Sequence, residues 1–310
     1  QARANPNAAA VYASGQSLRY AELDRLASHV AQRLARHSIA PATPVGVLMG
    51  SSLTTIVAIH ALMRLRTTLV MLNTRLTASE LAYQIQLAQC PLLLCDDETA
   101  ALARATNVSV LHIGDFYPSG TAIADTGLTE APFTPATISD DSPLAIMFTS
   151  GTSGKPKGAV LTRNNFWYSA MASAYRLGVV PNDRWLCAMP LYHVGGLSIV
   201  MRSCLYGTAI DLRLKFAADE VSDALSSQPI TLVSLVPTML QRLLDQIHAV
   251  LAAEPFDRRR WWFWIWAEIE ITRERRAAGR ARFGHDTRQR TRPGADHHQG
   301  LHGCSTICGA

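Results

Sequence analysis

The sequence predicts an α/β fold in which parallel-rich sheets are flanked by helices. Short apolar runs of strand character at residues 45–49, 68–72 and 92–95 are each separated by stretches with helical spacing. Strands alternating with helices need crossover connections, and such sheets are parallel and covered on both faces. Hydrophobic residues make up 48% of the chain and charged residues only 17%, enough apolar side chain for a packed core. A fourth apolar run, at residues 144–148, stops abruptly in hydroxyls, glycines and two lysines.

In order along the chain, a helix is predicted to open at residues 17–23, where Ser17 or a neighbour can cap it and Leu23, Leu26, Val30 and Leu34 repeat at helical spacing. Pro41 and Pro44 punctuate its end. After the strand at 45–49, a helix runs through Ile56, Ala58, Ile59, Leu62 and Met63, and the strand at 68–72 follows. Residues 73–80 then cap a helix over 80–88, before the strand at 92–95. Residues 107–143 are rich in Thr, Ala, Asp, Pro and Gly and read as connection, with one short apolar stretch at 108–113. Beyond the run at 144–148, a helix is expected over about 163–176, a strand over 185–189, a helix over 197–206, a strand over 230–236 and a helix over 238–251. No internal repeat is visible.

The length of 310 residues suggests about two domains. No apolar run reaches the roughly 18 residues of a membrane span. The chain starts at Gln1 rather than an initiator Met, so a fragment is expected. Cys187 and Cys204 sit in apolar stretches and read as reduced core residues, which points to a cytoplasmic protein. Residues 1–254 carry 18 Lys+Arg and 18 Asp+Glu, while the remainder carries 11 Arg and 6 acidic residues. The net charge of +5 is therefore a property of the tail, and no nucleic-acid partner is expected of the rest.

Chemistry concentrates at residues 149–158. Gly151 and Gly154 let the backbone N–H groups of residues 150–154 turn inward and form an anion-binding concavity. The hydroxyls of Thr149, Ser150, Thr152 and Ser153 add donors, and Lys155 and Lys157 add positive charge. This is not the NTPase P-loop, which needs four residues between its glycines and a helix after its lysine. Here two residues separate Gly151 from Gly154, Pro156 follows Lys155, and residues 159–161 look like another strand. A loop joining two strands is expected, with a Gly/Ser surface turn as the bland alternative.

Thr149 to Gly158 resembles the signature loop of the adenylate-forming superfamily of acyl-CoA synthetases, luciferases and peptide-synthetase adenylation domains. The resemblance implies the N-terminal part of that family's large domain, with the loop holding the β- and γ-phosphates of ATP. Residues 189–198, Met-Pro-Leu-Tyr-His-Val-Gly-Gly-Leu-Ser, resemble its second motif. It implies an acid pocket bordered by His193, Gly195, Gly196 and Ser198, the glycines allowing close backbone approach to substrate; an ordinary hydrogen-bonded His193 is the alternative. Residues 59–65, 72–77 and 197–207 look most like the branch that activates 2-succinylbenzoate for menaquinone synthesis. For that aromatic keto-diacid, Arg202 is the candidate partner of the second carboxylate, unless it pairs with a helix or loop group away from the ligand. The implied co-substrates are ATP with Mg²⁺, coenzyme A and a small carboxylic acid. An acyl- or aryl-CoA ligase for another acid, and a non-catalytic nucleotide-binding or interaction protein with a basic tail, are the rival functions. Arg66, Thr67 and Met71 depart from the small residues and proline usual in the family, at packing positions.

The resemblance covers about residues 6–255. The family's adenine-cradling turn, its Glu for Mg²⁺ and the adenylating lysine have no counterpart here, and Lys155, Lys157 and Lys215 are the only lysines. No catalytic residue is therefore assigned, and the 310 residues alone are not expected to synthesise acyl-CoA. A domain boundary is expected at residues 256/257, a partial large domain lying before it and an aberrant Arg/Trp-rich tail after it. Arg with Trp suits single-stranded nucleic acid, and His297, His298, His302, Cys304 and Cys308 suit zinc, but the clustering and spacing fit neither well. A one-base shift near residues 250–258 accounts better for the tail, since it turns the Trp cluster into glycines directly after an expected strand.

Overall fold

The computed structural model describes residues 1–117, 139, 141–149 and 156–253, and side chains up to residue 248. The tail, and the loop residues Ser150, Gly151, Thr152, Ser153, Gly154 and Lys155, lie outside the described residues. Gln1–Val250 makes one compact unit and Leu251–Ala310 a second.

The first unit holds two sheets. One has the order β11-β9-β10-β1-β2 and the other β6-β5-β3-β4-β7-β8. In the first, β1 (Ala9–Ala13), β9 (Arg184–Cys187), β10 (Ala209–Leu212) and β11 (Leu232–Val233) run parallel, and β2 (Gln16–Arg19) is an antiparallel edge. In the second, β3 (Pro44–Leu48), β4 (Thr68–Met71), β5 (Leu92–Cys95), β6 (Ser109–His112) and β7 (Pro143–Thr149) are parallel, and β8 (Lys157–Thr162) returns antiparallel to β7. Every residue of β4 is buried, as a strand covered on both faces requires.

Helix α2 (Leu53–Arg64) touches both β1 and β4, so it packs between the sheets. This explains why its apolar residues run round the whole helix instead of forming a stripe. Ser52 caps it, its hydroxyl accepting from the Thr55 N–H at 3.1 Å. By contrast α1 (Tyr20–Ala35) is amphipathic and buries Leu23, Leu26, Val30 and Leu34, the expected set. It starts at Tyr20 because residues 16–19 are taken by β2 and the Glu22 carboxylate accepts from the Arg19 N–H at 2.7 Å. Helix α3 (Ala78–Leu87) opens with a capping box in which the Glu80 carboxylate accepts from the Thr77 N–H at 2.8 Å and Thr77 Oγ1 from the Glu80 N–H at 3.3 Å. That hydrogen bonding holds the Glu80 carboxyl below its ordinary range.

Some elements differ from expectation. Residues 109–112, read as connection, add β6 to the sheet beside β5. The final strand shrinks to Leu232–Val233, since Pro237 already begins α8 (Pro237–Ala253). Strands β1, β2 and β10, together with α4 (Ala100–Arg104) and α7 (Ala218–Ser227), were not anticipated. Cys90, Cys95, Cys187 and Cys204 are free; Cys187 is buried in the core as expected, whereas Cys204 is only partly buried. Among the described residues no helix is long and apolar enough to cross a membrane.

His60 is buried in α2, and burial, with Arg64 nearby, pushes its pKa down to about 4. Between pH 6.5 and 4 the unfolded chain binds this proton and the folded chain does not. Stability should therefore fall as the pH drops through that window, by roughly 3 kcal/mol in full. Urea unfolding at pH 7 and pH 4.5 checks this, with His60→Gln expected to remove most of the difference. An undiminished difference in that variant would place the proton uptake elsewhere.

Candidate functional site

The phosphate-loop candidate is the connection of a β-hairpin. Thr149 and Lys157 are paired across β7 and β8, so the loop leaves and re-enters the sheet at one point. Directly paired Cβ atoms lie about 4.5–5.5 Å apart, so the Thr149 and Lys157 side chains leave the sheet from neighbouring positions at the loop mouth. Alternation along the strands puts them on the face of Met147 and Ala145, while Phe148, Gly158, Ile146 and Val160 occupy the other. Thr149 and Lys157 are both exposed and available to an anion.

The second motif forms the crossover from β9 into α6 (Val194–Tyr206). His193 is the N-cap; its backbone N–H donates to the Pro190 carbonyl at 3.1 Å, and its ring meets Tyr192 edge-on with centroids 4.8 Å apart. Partial burial, then the charge of Arg75, lower the His193 pKa, so the imidazole is neutral at pH 7. The Leu191 N–H donates to Ser51 Oγ at 3.3 Å, tying this crossover to the loop after β3. At the far end of α6, Tyr20 Oη lies 2.8 Å from the carbonyls of both Ser203 and Thr208. Gly207 closes the helix there at φ +78°, where glycine is unstrained.

The two glycines of the motif differ. A Cβ on Gly196 would lie 2.4 Å from the Pro190 oxygen and 2.8 Å from the Met189 oxygen. The close backbone approach assigned from sequence to a substrate is thus made, at Gly196, by the chain's own crossover. A Cβ on Gly195 would meet only the flexible end of the Met189 side chain, at 2.9 Å. Ser198 is buried in the first turns of α6.

Arg202 stands apart. Nine residues along the helix from His193 correspond to about 13 Å. Its guanidinium donates to Ser169 Oγ of α5 (Arg163–Leu177) at 2.9 Å and lies 5.7 Å from the Trp185 ring centre. Arg202 is thus engaged within the packing of α5, α6 and β9.

A cavity of about 660 Å³ opens outside the carboxyl ends of β3, β5, β6, β9 and β10, where the two sheets meet. Ser51, Asp96, His112, Pro190, Tyr192, Lys215 and Arg242 are in its wall. Sequence reasoning missed this site, since its walls come from seven separated segments. One signal was present: Arg75, also in the wall, lies inside the 72–77 stretch that carries the branch resemblance.

Open α/β sheets bind ligands outside the carboxyl ends of their strands, and the hairpin loop, the β9–α6 crossover and the cavity are all placed there. The chain belongs to the AMP-binding enzyme family, whose pattern matches residues 1–284. Within it, the chain is 34% identical over 242 residues to 2-succinylbenzoate–CoA ligase of Bacillus mycoides, covering 78% of this chain and 48% of that protein. It is also 34% identical over 248 residues to the Listeria monocytogenes enzyme of that name, covering 80% and 50%. Among solved structures, O-succinylbenzoate coenzyme A synthetase from Bacillus subtilis, in complex with ATP and magnesium ion, superposes with a TM-score of 0.69 at 30% identity. That likeness covers 78% of this chain and 64% of the solved one. The chain spans about half the length of the curated relatives it matches.

Proposed function

We propose that this chain supplies the phosphate-binding part of an ATP-dependent acid–CoA ligase, with 2-succinylbenzoate as the acid. The observation that carries the reading is the Thr149–Lys157 pair closing a glycine- and hydroxyl-rich loop at a strand carboxyl end. A carboxylate oxygen attacks the α-phosphorus of ATP, the bond to the β-phosphate bridging oxygen breaks, and pyrophosphate leaves. The thiolate of CoA then attacks the acyl carbonyl and AMP departs. In this scheme Lys157 and the loop hydroxyls hold the β- and γ-phosphates in line and neutralise charge on the leaving group. Neutral His193, with Tyr192 beside it, borders the acid, while Gly195, Gly196 and Ser198 shape the crossover that carries it. Among the described residues no cluster of three His, Cys, Asp or Glu groups could hold a metal ion. Mg²⁺ enters with the triphosphate, as part of the substrate.

The similarity to 2-succinylbenzoate–CoA ligases supports the choice of acid, and the free buried Cys187 supports a cytoplasmic place for the protein. Residues 257–310 are proposed to be an out-of-frame tail, which resequencing the codons for residues 245–265 tests. Arg202→Ala is expected to lower thermal stability while leaving the KM for the diacid unchanged in an enzyme completed with the remaining half of the family's length. A raised KM with unchanged stability would restore Arg202 to the acid pocket. In the same completed enzyme, Lys157→Ala and Thr152→Ala should each weaken ATP binding by about 1.5–3 kcal/mol, the worth of a charge-assisted hydrogen bond. Calorimetric titration with ATP·Mg²⁺ measures this, and unchanged affinity in both variants would make the loop a surface turn.

A further inference from the structure

The turn that carries Tyr192 and His193 leaves one sheet and is held from the other. It follows β9 of the five-stranded sheet, and its Leu191 is 1% exposed. A buried backbone N–H needs a partner. For Leu191 that partner is the hydroxyl of Ser51, 140 residues earlier, in the loop after β3 of the six-stranded sheet. Ser51 is itself 8% exposed and is anchored on both sides. The Gly50 N–H donates to Asp96 Oδ2 at 2.8 Å, and Thr55 Oγ1 donates to the Gly50 carbonyl at 2.5 Å. Asp96 is set in turn by the Thr99 N–H, which reaches its Oδ1 at 3.0 Å. On the other side, Ser52 caps α2. One residue between two anchored neighbours has little freedom, so its hydroxyl is a fixed point. Arg75, whose charge acts on His193, follows β4 of the same six-stranded sheet.

We propose that Ser51 is a positioning residue of the acid site, its hydroxyl fixing where the turn with Tyr192 and His193 stands against the six-stranded sheet. Asp96 acts one step behind it, through Gly50. Apolar packing of Leu191 joins the sheets but is non-directional and sets no register. A hydrogen bond from a buried N–H is directional and does set one. Such a register matters because a displacement of about 1 Å, even remote from the reacting atoms, can cost on the order of a hundredfold in rate. Ser51 acts through the turn, since its hydroxyl is engaged by Leu191 and not by the acid.

The inference rests on His193 bordering the acid, but its first test uses neither acid nor nucleotide. In the 310-residue protein, amide exchange at Leu191 and the titration of the His193 ring are followed by NMR. Ser51→Ala should speed exchange at Leu191 roughly tenfold or more, and should move the His193 pKa back up as the turn gains water and drifts from Arg75. Ser51→Thr, which keeps the hydroxyl, should restore both. Thr162→Ala, which removes the cap of α5, should lower the urea midpoint yet leave both unchanged. In the completed enzyme, Ser51→Ala should lower kcat/KM for the acid about tenfold or more with ATP affinity unaltered. Unchanged exchange and titration in Ser51→Ala, no rescue by Ser51→Thr, equal shifts in Thr162→Ala, or an unaltered kcat/KM would each overturn the proposal. A completed enzyme without acid-dependent turnover would instead sink the acid reading, and the NMR result would then decide the role of Ser51 in placing the turn. Should Ser51→Ala fail to fold, Asp96→Asn carries the same test, with shifts expected in the same direction and their absence overturning the proposal.

Discussion

Asp211→Ala is expected to lower the unfolding free energy by about 3–5 kcal/mol, the usual cost of removing one partner from a buried ion pair. The Asp211 side chain is only 3% exposed on β10 and meets two cations. Arg184 of β9 bonds it through Nε at 2.9 Å and through its terminal nitrogen, and Arg213 Nε lies 2.8 Å from its other oxygen. Arg184 is further fixed by Gln228 Oε1 at 2.8 Å and by the Tyr12 ring 3.7 Å beneath it. Without the carboxylate, two largely buried guanidinium groups repel each other across the strands that lead into the second motif. The Arg64–Asp24 pair is the contrast: Asp24 is 48% exposed, and Asp24→Ala should cost below about 1 kcal/mol. Urea unfolding of both variants separates the two cases, and equal losses would show that burial does not set the difference.

Gly196→Ala should be nearly as damaging, and its damage should fall on the site. The added Cβ meets two backbone carbonyls, at 2.4 and 2.8 Å, and backbone has no rotamer by which to yield. The Met189–Pro190 turn must shift, and it carries Tyr192 and His193 with it. Overpacking of this kind costs about 1–3 kcal/mol. Gly195→Ala should stay below about 1.5 kcal/mol, because the Met189 thioether can swing aside. Thermal unfolding of the two variants, together with the His193 titration followed by NMR, provides the check. A small effect at Gly196 and a large one at Gly195 would reverse the account of this crossover.

What sequence made legible follows physical lines. Strands β3, β4 and β5 were visible because both faces are covered and, Thr68 apart, every position is apolar. Helix α3 was visible through Thr77 and Glu80, a local cap that needs no tertiary partner. The β7–β8 connection was legible because glycines, hydroxyls and a proline leave few conformations to a loop between strands. By contrast, Ala9–Ala13 has two alanines at its start and gains strand character from pairing with Ala209–Leu212, about two hundred residues away, where no local signal reaches. The surroundings of Arg202 were not legible for a related reason. Its charge suggested a ligand, while Ser169 and Trp185, which engage it, come from elements that no spacing rule connects to it.

The central claim is that the loop between Thr149 and Lys157 grips the phosphates of ATP for adenylation of an acid. The most direct measurement is acid-dependent pyrophosphate release by residues 1–253 joined to the C-terminal half of the Bacillus mycoides relative, in a protein shown to unfold cooperatively. The account predicts release that requires 2-succinylbenzoate and falls at least about tenfold with Lys157→Ala, as loss of one charge-assisted bond demands. Release that proceeds unchanged in both Lys157→Ala and Thr152→Ala would contradict it.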